Sequence, residues 1–446
     1  MDALKRYFEF DRHQANVGTE LRAGITTFLT VAYILFVNPS ILASAIPIEQ
    51  HGFAQLMTAT ALAGALGCLL MGLFAKLPFA LAPGMGLNAY FAFTVVGAMG
   101  IPWQQAFGAV LISGVLFLII SLLGVRRTII DAIPDSVKIS SSAGIGLFLA
   151  LIGAKNAGLV VDHPATLVSL GSFDQAGAAL GAIGLLLMAV LLVLKVRGAI
   201  LFGILGISAA SLIFELPVFQ GKPYSGSSGS WIQAPIWPTD LFLSLDLAGA
   251  LGMGLFGVVF IFFFVDFFDT AGTFLGLSQK VDLFSDENQG TSKKAFLTDA
   301  IATMGGALIG TTSTTTYVES AAGIEEGGKT GLVAVVVGLM FLVAIFLWPV
   351  ASMVPGVATA PALILIGSLM MTGLTRLDWS DPAVAIPAFL TITAMPFTFS
   401  IANGISFGII SHVVIFALSR KAKEVSWIVY ALALALVGRF VYLAGA

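Results

Sequence analysis

The sequence predicts an all-α polytopic membrane protein of 14 transmembrane segments, built as two inverted seven-segment repeats with short extended stretches in segments 3 and 10. Three observations carry this. The 446 residues are 58% hydrophobic and 10% charged, with a mean hydropathy of +1.00. A soluble chain would carry about a quarter charged residues. Apolar runs long enough to cross a bilayer, about 17–25 residues each, recur from end to end. A Gly-, Pro- and Ser-rich interruption at 217–245 divides seven runs from seven. An odd number per half makes the halves inverted copies.

The expected spans are 20–41, 53–75, 78–97, 102–125, 133–154, 174–195, 198–216, 251–275, 295–309, 311–325, 329–351, 355–373, 382–419 and 425–443. The first repeat is 1–216, the linker 217–250 and the second repeat 251–446. With the N-terminus cytoplasmic, 16 of the 21 Lys and Arg residues fall inside, among them Lys5, Arg6, Arg126, Arg127, Lys195, Arg197, Lys293 and Lys294. That bias supports the orientation. Arg420, Lys421 and Lys423 violate it if 382–419 is one span broken around Met395-Pro396; two spans there would make the count fifteen, and fourteen is preferred. The charged N-terminal stretch has no cleavable signal pattern and reads as a cytoplasmic arm. The net charge of −3 decides nothing, and the single cysteine, Cys68, excludes a disulfide framework within the chain.

Two spans do not read as ordinary helices. Segment 3 opens "LPFALAPGMGLNAYF", where Pro78, Pro83, Gly84 and Gly86 interrupt a helix. Segment 10 opens "GTTSTTTYVESAAG", whose β-branched run Thr311–Tyr317 favours an extended chain. Non-helical backbone survives at membrane depth only where protein or a cavity satisfies it. The stretches Ala82–Asn88 and Thr314–Glu319, which include Gly86 and Thr316, are therefore the first candidates for a binding site. Spacing agrees: Asn38 and Asn88 lie in segments 1 and 3, and Asp269 and Glu319 in segments 8 and 10, each pair 50 residues apart.

"FFFVDFFDTAG" sets Asp266 and Asp269 one helical turn apart in an apolar wall. An acid at the centre of a membrane helix costs about 2.5–3.5 kcal/mol on insertion scales, so such acids are functional by default; the bland alternative is a hydrogen bond to a neighbouring helix. No span centre holds Lys or Arg, and the cations nearest the spans sit at their ends, where they snorkel. Asp266, Asp269 and Glu319 thus lack basic partners, and burial with mutual repulsion poises them to take up a proton. An acid, amide and hydroxyl site suits a neutral, flat molecule rich in N–H donors and disfavours an anion. Asn88 offers a donor and an acceptor, as Asn does to adenine, although bracing the helix break is an equal reading. The four histidines form no constellation, and neither a metal motif nor a nucleophile–base spacing is present.

"GITTFLTVAYILFVNPSIL" (24–42), "ALAPGMGLNAYFAF" (80–93), "VDFFDTAGT" (265–273) and "TTSTTTYVESAAGI" (311–324) resemble the AzgA-like purine permeases of the nucleobase–cation symporter-2 family. So do "NAGLVVDHPATLVSLG" (156–171) and "SIANGISFGII" (400–410). The resemblance runs the length of the chain. It implies the uracil-permease fold, with a core domain from segments 1–4 and 8–11, a gate domain from segments 5–7 and 12–14, and short antiparallel strands in segments 3 and 10. It implies proton-coupled uptake of adenine, guanine or hypoxanthine across the cytoplasmic (inner) membrane. The substrate-binding set it matches here is Asn88, Asp266, Asp269 and Glu319, beside Gly86 and Thr316, with Asp269 and Glu319 coupling to protons. The Asp pair departs from the Glu and His of uracil permease. The expected division gives Asp266 mainly to the base and Asp269 mainly to the proton. No cofactor or metal is expected beyond the coupling H+. The expected partners are a purine nucleobase, protons and the lipid bilayer, with a homodimer admitted and nucleic acid excluded. A channel or anion exchanger of the same architecture, or an intramembrane enzyme, are the alternatives; the first wants mid-span cations and the second a nucleophile or metal ligands.

Overall fold

A computed structural model describes residues 2–123, 132–174, 176–214, 231–252, 256–278, 289–419 and 421–444. Arg126, Arg127, Arg420 and the 217–230 part of the linker lie outside them. Among the described residues, nine helices are long and apolar enough to cross a membrane, from Val17–Leu42 to Ile401–Leu418. Shorter apolar helices at Met85–Ala98, Ala199–Ile213, Pro382–Phe397 and Trp427–Gly438 accompany them. The chain is an integral membrane protein.

The two broken spans meet. Strand β1 (Leu81–Pro83) pairs antiparallel with β4 (Thr314–Thr316), in the register Leu81 with Thr316, Ala82 with Thr315 and Pro83 with Thr314. Gly84 N donates to Ser313 O at 2.8 Å and Tyr317 N to Ala80 O at 2.9 Å, extending the pairing at both ends. Each strand satisfies the other's backbone, which is how extended chain persists inside a helical bundle. Gly84 is needed here, since a Cβ would stand 2.9 Å from Thr315 Cγ2. A second hairpin, β2 (Val160–His163) with β3 (Leu167–Leu170), fills the exposed connection between segments 5 and 6.

Three elements differ from the sequence expectation. Segment 13 is two helices, Pro382–Phe397 and Ile401–Leu418. Gly404 and Gly408 lie against Thr391, and Asp381 pairs with Lys421 at 3.4 Å, so the chain goes out and returns. The turn falls at Thr398–Ser400, with Ser400 Oγ accepting from Asn403 N, rather than at Met395-Pro396. Lys421 and Lys423 thereby return to the side of Arg376, which removes two violators of the charge bias. Segment 9 starts earlier than expected, running Gln289–Ile309. Finally, the described part of the linker is docked rather than loose: Trp348 Nε1 donates to Ala234 O at 3.0 Å, and Gln55 Nε2 to Asp240 at 2.7 Å.

Candidate functional site

The β1–β4 junction organises the candidate residues into two acidic pairs. Asp266, on helix Phe256–Ser278, is 1% exposed and faces segment 9. Thr303 Oγ1 lies 2.7 Å from Asp266 Oδ2 and 3.2 Å from Thr314 O. One turn along each helix, Thr270 donates to Asp299 Oδ2, and Thr316 donates to Asp299 Oδ1 at 2.7 Å. Thr270 and Thr315 hydroxyls meet at 2.9 Å. Segments 8 and 9 are thus laced by two rungs, Asp266–Thr303 and Thr270–Asp299, and all three residues of β4 bond to that lacing. The i,i+4 spacing within each helix puts both rungs on one face. Asp266 Oδ1 is buried without a partner, as is Thr314 Oγ1 beside it.

The second pair is more open. Asp269 and Glu319 are half-buried and within reach of each other's charge. Glu319 ends the strand segment and caps the short helix Ser320–Glu325. Its Oε1 accepts from the buried Tyr33 hydroxyl at 2.8 Å, which fixes the carboxylate from segment 1. Among the described residues, no Lys or Arg pairs with Asp266, Asp269, Asp299 or Glu319.

Asn88 is fully buried; its Oδ1 accepts from Thr312 and its Nδ2 stands 3.5 Å from Pro83 O. Tyr317 OH donates to the same Pro83 carbonyl at 2.6 Å, so segments 3 and 10 are joined again at that end of β1. The neighbouring Thr311 receives Asn38 Nδ2 at 3.0 Å. The two asparagines therefore grip consecutive threonines before β4. Gly86 packs on segment 5, where an added Cβ would meet Ile145 Cγ2 at 2.6 Å. Thr316 spends its hydroxyl on Asp299.

The structure brings the six predicted residues to one junction but divides them differently. Asp266 makes the interhelical bond that the bland reading described, while Asp269 takes the open position beside Glu319. Asp299 is absent from the sequence-based set. It is the central residue of Gln289–Ile309, yet a span starting at 295 places it near an end, where acids are ordinary. The signal was available as a match of pattern: Asp266 and Thr270 in segment 8 mirror Asp299 and Thr303 in segment 9.

A multi-span helical bundle whose two broken segments meet at buried acids defines a membrane transporter. Residues 18–441 match the model of the Permease family, the nucleobase–cation symporter-2 transporters, and the chain belongs to that family. It is 40% identical to the adenine permease AdeP of Escherichia coli over 99% of this chain and 96% of that one. It is also 40% identical to the guanine/hypoxanthine permease PbuG of Bacillus subtilis over 99% of this chain and 100% of that one. Among solved structures, the transmembrane domain of the cyanobacterial bicarbonate transporter BicA has the same fold, with a TM-score of 0.63, 16% identity, and coverage of 87% of this chain and 97% of that chain. The protein is a transporter and not an enzyme, as its named relatives are permeases.

Proposed function

We propose that this chain takes up purine nucleobases (adenine, guanine or hypoxanthine) with protons, across the cytoplasmic membrane and by alternating access. The observation that carries the reading is the half-buried Asp269–Glu319 pair at the end of β4, without a basic partner, in a chain so similar to purine permeases. Two carboxylates accept from the N–H groups of a neutral base. An acidic site without a basic partner repels an anion, which disfavours bicarbonate as cargo despite the shared fold.

The roles follow the geometry. Asp269 and Glu319 contact the base, with Tyr33 holding Glu319. Asn88, through Thr312 and Pro83, keeps the β1 break in shape. Thr316 ties β4 to Asp299, and Gly86 leaves segment 3 smooth against Ile145. The proton moves within the acidic set, and Asp266 is its natural seat, since an unpaired buried carboxylate oxygen is costly unless protonated. Segments 1–4 and 8–11 form the core that carries the site. Segments 5–7 and 12–14 form the gate, packed through glycines such as Gly146 against Gly367 O and Gly144 against Met395. The N-terminal arm lies in the cytoplasm.

The test is uptake of labelled adenine and hypoxanthine into proteoliposomes, with and without an inward proton gradient, with bicarbonate as competitor. Gradient-driven accumulation that a protonophore abolishes supports the reading. Uptake that stops at equilibrium with an imposed gradient removes proton coupling, and inhibition by bicarbonate alone favours the anion exchanger.

A further inference from the structure

Arg197 and Glu326 form an ion pair between parts of the chain that the proposed mechanism requires to move apart. Arg197 stands in the tight turn between helices Ala176–Val193 and Ala199–Ile213, the sixth and seventh segments. That turn is fixed by two left-handed residues, Lys195 and Gly198, and by Val196 N donating to Leu191 O at 2.9 Å. Glu326 closes the C-terminal end of Ser320–Glu325, in segment 10. Its side chain is 17% exposed and that of Arg197 56%, so the pair lies at the mouth of the seam rather than free in solvent.

Two further features give the pair its meaning. First, it sits on the face of the N-terminal arm: Glu20, near the start of segment 1, accepts from Lys329 N at 2.9 Å, three residues beyond Glu326. The opposite end of segment 1 borders a cavity of about 220 Å³, lined by Val37, Ser40, Ile41, Asn156, Thr359 and Leu363. Helix rise puts Ser40 about 30 Å from Glu20 along segment 1. The core and the gate thus leave a cleft at one end, where segment 1 meets segments 5 and 12, and are bridged at the other by the ion pair from the turn between segments 6 and 7 to segment 10. Second, Glu326 and Glu319 cap the two ends of one six-residue helix. Gly323, midway, is seated on segment 1, where a Cβ would strike Thr27 Oγ1 and the Ala23 carbonyl. A helix this short and this closely backed moves as a unit, so a pull on Glu319 is felt at Glu326.

We propose that Arg197 and Glu326 are a positioning pair that latches the arm-side face shut, and that a base drawing on Glu319 releases it. The second half rests on the purine reading of the site; the first half rests on the bridge alone. Substrate entering from the cleft side draws Glu319, shifts the short helix and breaks the pair. Without substrate the pair holds, which limits empty cycling.

The experiment uses the full chain with Cys68→Ser as background and Arg197→Cys/Glu326→Cys added. A short, cleavable bifunctional thiol reagent should abolish uptake while equilibrium binding of labelled adenine persists, and reduction should restore uptake. A monofunctional reagent should not abolish it. Uptake unchanged by bridging overturns the latch. Spin labels on Leu194→Cys and Glu325→Cys, exposed positions that flank the intact pair, should show one short separation without adenine and an added longer one with it. A single unchanged separation, in protein that binds adenine, overturns the coupling to Glu319; protein that binds no adenine overturns the purine reading and the coupling with it. In the native background, Arg197→Glu should change the transport rate about fivefold, the scale of one exposed ion pair, with adenine affinity kept. Arg197→Glu/Glu326→Arg should restore the rate, and failure to do so, with normal thermal stability, counts against the pair.

Discussion

Thr316 donates its hydroxyl to Asp299 over 2.7 Å, and this bond fastens the strand of segment 10 to the middle of segment 9. The same carboxylate receives Thr270 from segment 8, so one side chain joins three segments around the site. Asp299→Ala leaves two buried hydroxyls without their acceptor, at about 1–3 kcal/mol each. The expected outcome is a lower thermal unfolding midpoint in detergent together with lost transport. Thr316→Val removes one bond and keeps the shape, so a smaller loss is expected. An Asp299→Ala protein as stable as the wild type would mean that the lacing of segments 8 to 10 does not hold the site together.

Asp266 and Asp269 share a helix but not an environment. Asp266 is 1% exposed and bonded to Thr303, whereas Asp269 is half-buried beside Glu319. Asp269→Asn is therefore expected to weaken equilibrium purine binding by roughly 5- to 150-fold, the worth of one group left unpaired on binding. Asp266→Asn is expected to retain binding and counterflow exchange and to lose accumulation against a gradient. Binding and exchange measured on the two variants separate the roles, and the reverse pattern would return the base to Asp266.

How much of this could be read from residues alone depended on pattern length. Long apolar runs fix a helical bundle, and the Pro/Gly and Thr runs announced β1 and β4, because both depart from helical chemistry within a span. Periodicity could not resolve which oxygen each acid meets. Asp266 and Asp269 look equivalent at three-residue spacing until segment 9 is placed, and Asp299 looks like a border residue until the helix is seen to begin at Gln289, with Lys293 and Lys294 inside it. Segment 13 failed for a related reason: Pro387 and Pro396 both sit within one helix, while the actual reversal is made by Phe399, at φ 49°, and Ser400. Prolines in a membrane helix are tolerated, so they were poor markers of the turn.

Tyr33 and Glu319 supply a gentler test of the site. The 2.8 Å bond from the Tyr33 hydroxyl comes from a residue 286 positions away and holds one carboxylate oxygen in place. Tyr33→Phe keeps the ring and frees that oxygen. A weaker affinity for adenine by up to about tenfold is expected, the worth of one hydrogen bond to a charged group at its lower end. Glu319→Gln replaces an acceptor oxygen by an amide donor and should cost more. A Tyr33→Phe protein with unaltered affinity would show that Glu319 is positioned by its backbone alone.

The N-terminal arm gives a prediction outside the membrane. Glu9 Oε1 pairs with Lys76 at 2.8 Å, and Oε2 with Arg12 at 3.0 Å. Phe8 and Phe10, on either side, are buried against Leu332. The Lys76 ammonium first, and then Arg12, hold the Glu9 carboxyl below its ordinary value of 4.5. A carboxyl lowered in the docked state favours docking at pH values above 4.5, and that help disappears as the pH falls through the lowered value. Because Glu9 is largely solvated, the effect is small and screened by salt. Amide exchange at Phe8 and Phe10, compared with Glu9→Gln at each pH, should show extra protection in the wild type at neutral pH, and the two proteins should converge on acidification. Lys76 leads into β1 through Leu77 and Pro78, so the same comparison at Leu81 reports whether the arm steadies the strand. If wild type and Glu9→Gln exchange alike at every pH, the arm is held by its two phenylalanines and the ion pair is incidental.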